Sequence, residues 1–400
     1  MIKVLKVIPF FAPAYGYGGP VIQSLNISRI QATLGYDVRV LTTNILNNDF
    51  ISKDLPKFEV MDGIKVHRYP IRYRLGQSHY FITPKLPKGF LKYDYDIIHS
   101  CSFRTFQTDM ATLFSKLKKK PFVFTAQGTT RNISLFNWLV NKKIEKSRIK
   151  YHDVFLKKFF INTVDRVIVH SKYEKFWTVK NGIPENKIRV IPAGVNIDNF
   201  TNLTYRDNFI KKFRVEGKMI LYVGRLLRDY RDLAHLIKVM PGVLKEFKGV
   251  KLWLVGESYD KEYEYNLKKL VKDLNLIEHV VFVTRPSRED ILGAYQVANI
   301  ILFPITNSDS FGIPLIEAGA AKTPIISPNR GPAAEIIKNG KTGILTKVDD
   351  LTDLKNAIVK ILTDDELERK IGLQAYENVL QNYTWERITE KTNKVYEEII

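Results

Sequence analysis

The chain has 400 residues, and 45% of them are hydrophobic, which is enough to build two hydrophobic cores. Its one cysteine, Cys101, excludes a disulfide framework and is typical of a reducing compartment. Nearly all of the net charge of +20 lies in residues 1–200, so an anionic partner would meet the first half of the chain.

Short β-rich runs alternate with helical or polar segments through this half. The opening run, Lys3–Pro9, indicates a strand rather than a signal peptide, and a Gly/Pro loop at Ala12–Gly19 leads to a helix at Val21–Leu34. The further predicted strands are Val38–Leu41, Ile97–Ile98, Phe122–Thr125, Val167–Val169 and Ile188–Ile191. This alternation predicts an α/β domain with a parallel, doubly wound sheet.

A polar segment from Asn196 to about Asp207 precedes a second series of strands and helices. Its predicted strands are Met219–Val223, Lys251–Val255, Val280–Val283, Ile300–Phe303 and Thr323–Ile326. Its predicted helices are Leu233–Phe247, Glu262–Leu274, Glu289–Val297, one that begins at Pro314, and a last one at Trp385–Ile400. We predict one domain over residues 1–198 and a second over 199–383, with a ligand cleft between them at the carboxyl ends of the strands.

The segment Ser308–Ala321 carries the clearest chemistry. It follows a buried strand, and either Ser308 or Asp309 can cap the helix whose first turn contains Pro314. Two carboxylates, Asp309 and Glu317, are thus expected at the carboxyl end of a strand, where open α/β sheets bind ligands. Three backbone N–H groups there can hold an anion or a sugar hydroxyl, those of Phe311, Gly312 and Ile313.

Two other loops are candidates for binding a ligand. Arg225 follows a strand directly, and its guanidinium group suits a diphosphate because it can pair with two oxygens, although a solvated basic loop with Arg228 and Arg231 is the simpler alternative. In the first loop, Gly18 and Gly19 can let the backbone approach a ligand closely, and an ordinary flexible turn explains them equally well.

Three further motifs are weaker. Gly340–Gly343 lacks the first glycine of a P-loop, since Glu335 stands in its place. Asp94 and Asp96 precede a strand instead of following it, so we expect no metal site. His99 is expected at the carboxyl end of that strand, facing the cleft, although a lone histidine is more often structural.

Residues 131–160 are rich in lysine and arginine with interspersed Leu, Phe and Trp. This composition is typical of attachment to an anionic membrane surface. A core-packing helix with a basic outer face is at least as good an interpretation. Nucleic-acid binding is not expected, because no RNA- or DNA-binding signature accompanies the charge. No apolar run reaches the roughly 18 residues of a membrane span, and we expect a cytoplasmic protein, with or without peripheral attachment.

Together these segments resemble glycosyltransferase family 4, the retaining, nucleotide-sugar-dependent enzymes of GT-B fold. The resemblance spans nearly the whole chain and rests on the order of its motifs, which are Gly18-Gly19-Pro20, Asp96–His99, Val164–Ser171, Lys187–Asn196, Gly224-Arg225-Leu226, Asp309 to Glu317, Pro332–Ile337 and Gly340–Leu345.

The resemblance implies a role for each candidate residue. Asp309, Arg225 and Glu317 would form the catalytic group, with Arg225 on the donor diphosphate and Glu317 on the ribose. Arg228 and Arg231 would assist at the diphosphate, and the backbone at Phe311, Gly312 and Ile313, together with Gly18 and Gly19, would contact the sugar. His99 and Gln127 would contact acceptor or sugar. The donor would be a UDP- or GDP-sugar, no metal or other cofactor would be needed, and helix 384–400 would pack back on the first domain.

Three positions depart from the family pattern. Tyr230 stands where a lysine is usual, Asp309 replaces the first glutamate, and Gln127 replaces the histidine of T-x-H-G. The resemblance therefore predicts a retaining transferase that moves a hexose to a glycan or lipid-linked acceptor in polysaccharide or glycoconjugate synthesis. The alternatives are a GT-B-fold nucleotide-sugar epimerase and a basic membrane- or nucleic-acid-binding protein.

Overall fold

A computed structural model describes residues 1–47, 50–75, 80–129, 143–227, 232–258, 260–306 and 309–400, with the side chains of 143–151 excepted. Several predictions fall outside these residues. They are the diphosphate roles of Arg228 and Arg231, the replacement at Tyr230, the capping role of Ser308 and the first part, residues 131–142, of the basic segment 131–160. Within the described residues the chain divides into two compact units, Met1–Ala193 with Trp385–Ile400, and Gly194–Thr384.

The first unit is built on a sheet of eight described strands in the order β12-β11-β10-β9-β1-β2-β6-β5. These strands are β1 (Lys3–Val7), β2 (Asp37–Thr43), β5 (Phe58–Met61), β6 (Ile64–Tyr69), β9 (Ile97–Cys101), β10 (Phe122–Thr125), β11 (Arg166–Val169) and β12 (Ile188–Val190). Two small hairpins lie outside the sheet, β3 (Ile45–Asn47) with β4 (Phe50–Ile51), and β7 (Tyr73–Leu75) with β8 (Tyr80–Ile82). The described helices of the unit are α1 (Gly19–Thr33), α2 (Pro87–Lys92), α3 (Phe106–Lys118), α4 (Lys143–Thr163), α5 (Lys172–Lys180) and α14 (Trp385–Glu397).

The expected wholly parallel sheet needs one correction. The edge strand β5 runs antiparallel to β6, because the two are joined by the tight turn at Asp62–Gly63, where both residues have positive φ. The strands between residues 45 and 82 were not predicted from the sequence. Most are short with several exposed residues, and only every second residue of β6 is buried, so they lack the continuous apolar runs of the central strands.

The carboxyl-terminal helix α14 is part of the first unit. Its residues Trp385, Ile388 and Tyr396 share a hydrophobic cluster with β1, β9 and β10. Polar contacts add to this packing, since Gln31 Nε2 on α1 donates to Asn393 Oδ1 at 2.7 Å. The Glu398 carboxylate, just beyond the helix, pairs with two arginines of the sheet.

The second unit contains a parallel sheet of six described strands in the order β15-β14-β13-β16-β17-β18. The strands are β13 (Lys218–Val223), β14 (Val250–Val255), β15 (Val280–Val283), β16 (Ile300–Leu302), β17 (Ile325–Pro328) and β18 (Ile344–Thr346). The described helices are α6 (Leu203–Phe213), α7 (Leu233–Glu246), α8 (Lys261–Asp273), α9 (Arg288–Val297), α10 (Ile313–Ala320), α11 (Ala333–Ile336), α12 (Leu351–Leu362) and α13 (Asp365–Asn382). The prediction of two α/β sheets, each with its own core, is confirmed.

The division between the units falls after Ala193, five residues before the expected boundary at 198. Val195 belongs to the second unit because its N–H donates to the carbonyl of Tyr383 at 2.8 Å and its backbone pairs with Thr384. The chain returns to the first unit between Thr384 and Trp385, at the residue that pairs with Val195.

Candidate functional sites

The strand order of the second unit marks one position where a ligand can enter. Numbered from β13, the order is 3-2-1-4-5-6, so the order reverses between β13 and β16, which pair directly. The connections that leave such neighbouring strands go to opposite faces of the sheet and open a crevice at their carboxyl ends. The loops after β13 and β16 therefore frame the candidate site, and they hold Arg225 and the segment from Asp309 to Glu317.

The loop after β13 presents Arg225 at the carboxyl edge of the sheet. The Arg225 side chain is exposed, and its backbone carbonyl accepts a hydrogen bond from the Tyr222 hydroxyl at 3.0 Å. Leu226 then pairs with Ser258, so the loop continues alongside the end of β14. A guanidinium group held at this edge can pair with two phosphate oxygens.

The loop after β16 corrects the predicted cap of α10. The helix begins at Ile313 with Gly312 at its N-cap, and no side chain caps it. Gly312 has φ +94, a left-handed conformation that suits glycine and turns the chain into the helix. The prediction that Asp309 caps the helix is therefore wrong, while Pro314 does lie in the first turn.

Asp309 instead closes its own loop. Its carboxylate is buried and accepts from the Thr306 N–H at 2.9 Å, three residues earlier. This contact fixes the entry to the segment Phe311–Ile313, whose backbone was the predicted sugar contact. The side chain of Phe311 is buried and lies against the ring of Tyr383.

Glu317 is held by two side chains of α9 that the sequence analysis did not single out. Its Oε2 accepts from the Tyr295 hydroxyl at 3.0 Å, and its Oε1 lies 3.6 Å from Nη1 of Arg288. Burial, followed by the charge of Glu317, raises the pKa of Tyr295 well above its usual value, so the phenol stays a proton donor. The carboxylate is thus oriented while it keeps lone pairs for hydroxyl groups of a ligand. No local pattern reveals this contact, because Tyr295 lies 22 residues from Glu317.

The strand order of the first unit also reverses, between the neighbouring strands β1 and β9. Lys6 on β1 lies opposite His99 on β9 at this position. A small pocket of about 20 Å³ lies at this place. It is lined by Lys6, Ile8, Gln23, Ser24, Ile27, His99, Ser100, Cys101, Thr125 and Gln127. The structure thus brings His99 and Gln127 together, and it adds Lys6 and Gln23, which the sequence analysis did not assign.

His99 lies in the middle of β9 and not at its carboxyl end as expected, because Ser100 and Cys101 extend the strand. Its Nδ1 lies 2.5 Å from the Tyr396 hydroxyl and its Nε2 lies 2.7 Å from Thr125 Oγ1. Burial and the neighbouring Lys6 lower the pKa of His99 to about 3, so the ring is neutral. With both ring nitrogens bonded inside the protein, we assign His99 a structural role instead of the expected contact with acceptor or sugar.

Gln127 follows β10 in a tight turn and has φ +50. Its Oε1 accepts from Ser102 Oγ at 3.3 Å. The turn is fixed from below by the buried carboxylate of Glu174, which accepts from the N–H groups of Gly128 and His170. Glu174 thereby positions a loop that borders the pocket.

The glycine loop of the first unit leads directly into α1, which supplies Gln23 to the pocket. Gly18 is the N-cap of this helix and has φ +69, which explains the glycine at this position, and Gly19 is its first residue. Pro20 occupies the first turn.

The carboxylates of Asp94 and Asp96 contact Lys3 at the amino-terminal end of β1, whereas the ligand crevice is expected at the carboxyl ends of the strands. Asp96 accepts from the Lys3 N–H at 2.8 Å, and Asp94 forms an ion pair with the Lys3 ammonium group at 2.6 Å. Among the residues that the model describes, no group of three or more His, Cys, Asp or Glu side chains could hold a metal ion. Within the same residues, no helix combines the length and apolar composition needed to cross a membrane.

Comparison with known proteins identifies the family. Residues 17–199 match the model of Glycosyltransferase Family 4, and residues 205–378 match that of Glycosyl transferases group 1. The chain is similar to the uncharacterized glycosyltransferase MJ1607 of Methanocaldococcus jannaschii, with 26% identity over 95% of this chain and 94% of the relative. It is 23% identical to phosphatidyl-myo-inositol mannosyltransferase of Mycobacterium leprae, over 96% and 93% of the two chains.

The same fold is found in a solved structure of Anabaena Alr3699/HepE in complex with UDP-glucose, with a TM-score of 0.73, 18% identity and full coverage of both chains. The two family models together span almost the whole chain, one on each unit, and the order of the family motifs agrees with them. The chain therefore belongs to glycosyltransferase family 4, and it is a glycosyltransferase with the GT-B fold.

Proposed function

We propose that this enzyme transfers a hexose, with retention of anomeric configuration, from a nucleotide diphosphate sugar to a glycan or lipid-linked acceptor. The observation that carries the proposal is the position of Arg225 and Glu317 in the segments that follow the two strands at the reversal of the second sheet, Arg225 in the loop after β13 and Glu317 in α10 after β16. The names of two similar proteins support it, since one is a mannosyltransferase and the other was solved with UDP-glucose.

In this proposal the second unit binds the donor. The Arg225 guanidinium group pairs with the diphosphate, whose negative charge grows as the bond to the sugar breaks, so that the transition state is stabilised more than the bound donor. The Glu317 carboxylate, held by Tyr295 and Arg288, accepts hydrogen bonds from the ribose hydroxyls. Asp309 fixes the loop whose backbone, at Phe311, Gly312 and Ile313, contacts the sugar.

The first unit binds the acceptor in this proposal. Gly18 and Gly19 contact the transferred sugar, and the Gln127 amide hydrogen-bonds a hydroxyl group but takes no proton. The leaving phosphate then deprotonates the acceptor hydroxyl, so the reaction requires neither a protein nucleophile nor a metal ion.

The donor is identified by thermal denaturation with UDP, GDP, UDP-glucose and GDP-mannose, because a ligand that binds only the folded state raises the melting temperature. Donor hydrolysis and transfer to sugar acceptors are then followed by NMR, which also reports the anomeric configuration of the product. Glu317→Gln should lose most of the response to the donor, whereas Glu289→Gln, at an exposed carboxylate of α9, should keep it. If no nucleotide raises the melting temperature and no donor is consumed, the proposal is wrong.

The epimerase alternative requires an acid and a base at the sugar. Neutral His99, with both nitrogens bonded, does not provide them. A new nucleotide sugar formed without any acceptor would favour this alternative.

We also propose that the enzyme docks on anionic membranes through residues 131–160. In the described part of α4, Val154, Phe155 and Phe159 are exposed beside Lys158, a combination suited to the membrane interface. Replacing Lys142, Lys143 and Lys146 with Gln should weaken co-sedimentation with phosphatidylglycerol vesicles. The matched control replaces three exposed lysines of α3 and its end, Lys116, Lys118 and Lys119, and equal losses in both triple variants would contradict docking through this segment.

A further inference from the structure

The pocket of the first unit contains a buried lysine with unused hydrogen-bonding capacity. Lys6 belongs to strand β1, and only 4% of its surface is exposed. Its ammonium group donates to Ser28 Oγ at 2.8 Å, and this hydroxyl in turn donates to the Ser24 carbonyl at 2.5 Å. Within the described residues this serine is the one acceptor for a group with three N–H bonds, so two donors are left.

A second donor group lines the same pocket. Gln23 on α1 is 6% exposed, and its amide forms no hydrogen bond to any described residue. An amide that borders a pocket without a protein partner can form hydrogen bonds with a ligand or an ordered water there. Lys6 and Gln23 thus present N–H groups to one small space from two different elements.

The lining favours a negatively charged ligand. It contains one cationic side chain, Lys6, and the lining residues include no carboxylate. A volume of about 20 Å³ is room for about one water-sized group. A terminal oxygen of an acidic group fits this space, whereas a sugar ring must stay outside.

We propose that this pocket recognises an acidic group, a carboxylate or a phosphate, carried by the acceptor, with Lys6 and Gln23 as its hydrogen-bond donors. The inference rests on the proposed function, since it assigns the acceptor to the first unit. It makes Lys6 a specificity-determining residue that selects acidic over neutral acceptors.

The charge of Lys6 depends on pH near neutrality. Burial lowers the pKa of Lys6 to about 7, and the groups around it do not titrate in the same range. On β9, burial and the neighbouring Lys6 lower the pKa of His99 to about 3, and burial raises the pKa of Cys101 to about 12. Burial also raises the pKa of Tyr396 on α14. An acidic ligand should therefore bind more weakly above pH 7, by up to about tenfold per pH unit.

The test compares glucose, glucuronate and glucose 6-phosphate as probes, by saturation-transfer NMR and calorimetry at pH 6.5 and 8.5, in the presence of UDP. One of the two acids should bind the unmodified enzyme at least tenfold more tightly than glucose at pH 6.5, and which acid binds distinguishes a carboxylate from a phosphate. Lys6→Met should abolish this preference. The matched control Lys3→Met, on the same strand but exposed and paired with Asp94, should retain it.

Gln23→Ala provides a second variant that leaves the lysine in place, and it should weaken binding of the acid several-fold. Equal binding of the three probes, no binding of either acid, or a preference that survives Lys6→Met would overturn the proposal. The melting-temperature response to UDP is measured in the same samples. A UDP response without acid preference contradicts only the acceptor pocket, whereas acid preference without any response to nucleotides or their sugars contradicts the proposed transferase.

Discussion

The buried Lys6 should make the stability of the enzyme depend on pH in a way that a methionine removes. The ordinary lysine pKa of 10.5 applies to the unfolded chain, and burial lowers it to about 7 in the folded protein. Between these values the unfolded chain binds a proton that the folded protein does not. The contribution of Lys6 to stability therefore rises with pH through this window, and its full penalty is present below pH 7.

The size of the effect follows from the two pKa values. At about 1.4 kcal/mol per pKa unit, the penalty at pH 7 is roughly 4 kcal/mol, and about 2 kcal/mol of it disappears by pH 9. Methionine is similar to lysine in length and apolar, so the change in packing should cost less than about 1.5 kcal/mol. We expect the unfolding free energy of Lys6→Met to exceed that of the unmodified enzyme at pH 7. At pH 9 this difference in unfolding free energy should be smaller by about 2 kcal/mol.

Urea denaturation at the two pH values measures this difference, with hydrogen exchange of peptides from β1 and β9 to report on the first unit. Lys3→Met is the control, because Lys3 is exposed and its replacement leaves the buried ammonium group in place. A stability difference between Lys6→Met and the unmodified enzyme that is the same at pH 7 and pH 9 would refute the reasoning.

Three further predictions concern the second unit and the surface. Glu317→Gln should lower kcat/KM for donor hydrolysis about 10- to 100-fold, because it removes a charged acceptor of hydrogen bonds. Tyr295→Phe should lower it less, because it removes only one hydrogen-bond donor to Glu317. Equal losses of kcat/KM in steady-state assays of the two variants would contradict this ranking. Gly256→Ala should cost more than about 3 kcal/mol in urea denaturation, because a Cβ there overlaps the Gly224 carbonyl, whereas Gly249→Ala, with φ +79 and open space, should cost about 1 kcal/mol. Glu398→Ala should cost at most about 1 kcal/mol, since its pairs with Arg166 and Arg189 are partly exposed, and 0.5 M NaCl should reduce the loss.

Patterns that depend on neighbouring residues were predicted well from the sequence. The central strands are continuous apolar runs, and the segment from Asp309 to Glu317 was placed correctly at the end of β16. The errors have two physical causes. Asp309 had two possible local partners, the N–H groups of the helix and that of Thr306, and its carboxylate accepts from Thr306 three residues earlier. The contacts of His99 with Tyr396 and Thr125 are distant in sequence and depend on how three elements pack.

Lys6 is another residue whose surroundings cannot be predicted from its neighbours in the sequence. In the sequence it is one lysine in an apolar strand, where it could have been an exposed edge residue. Only the sheet order places it beside β9, opposite His99, at the reversal of the first sheet. A charge buried there costs the fold several kcal/mol, which a methionine would avoid, and folds keep such local costs mainly where a ligand uses the group. Each sheet thus holds charged side chains at its reversal, Arg225 and Glu317 in the second unit and Lys6 in the first. The stability cost of Lys6 and its proposed choice of an acidic acceptor therefore have the same origin, and Lys6→Met should remove both together.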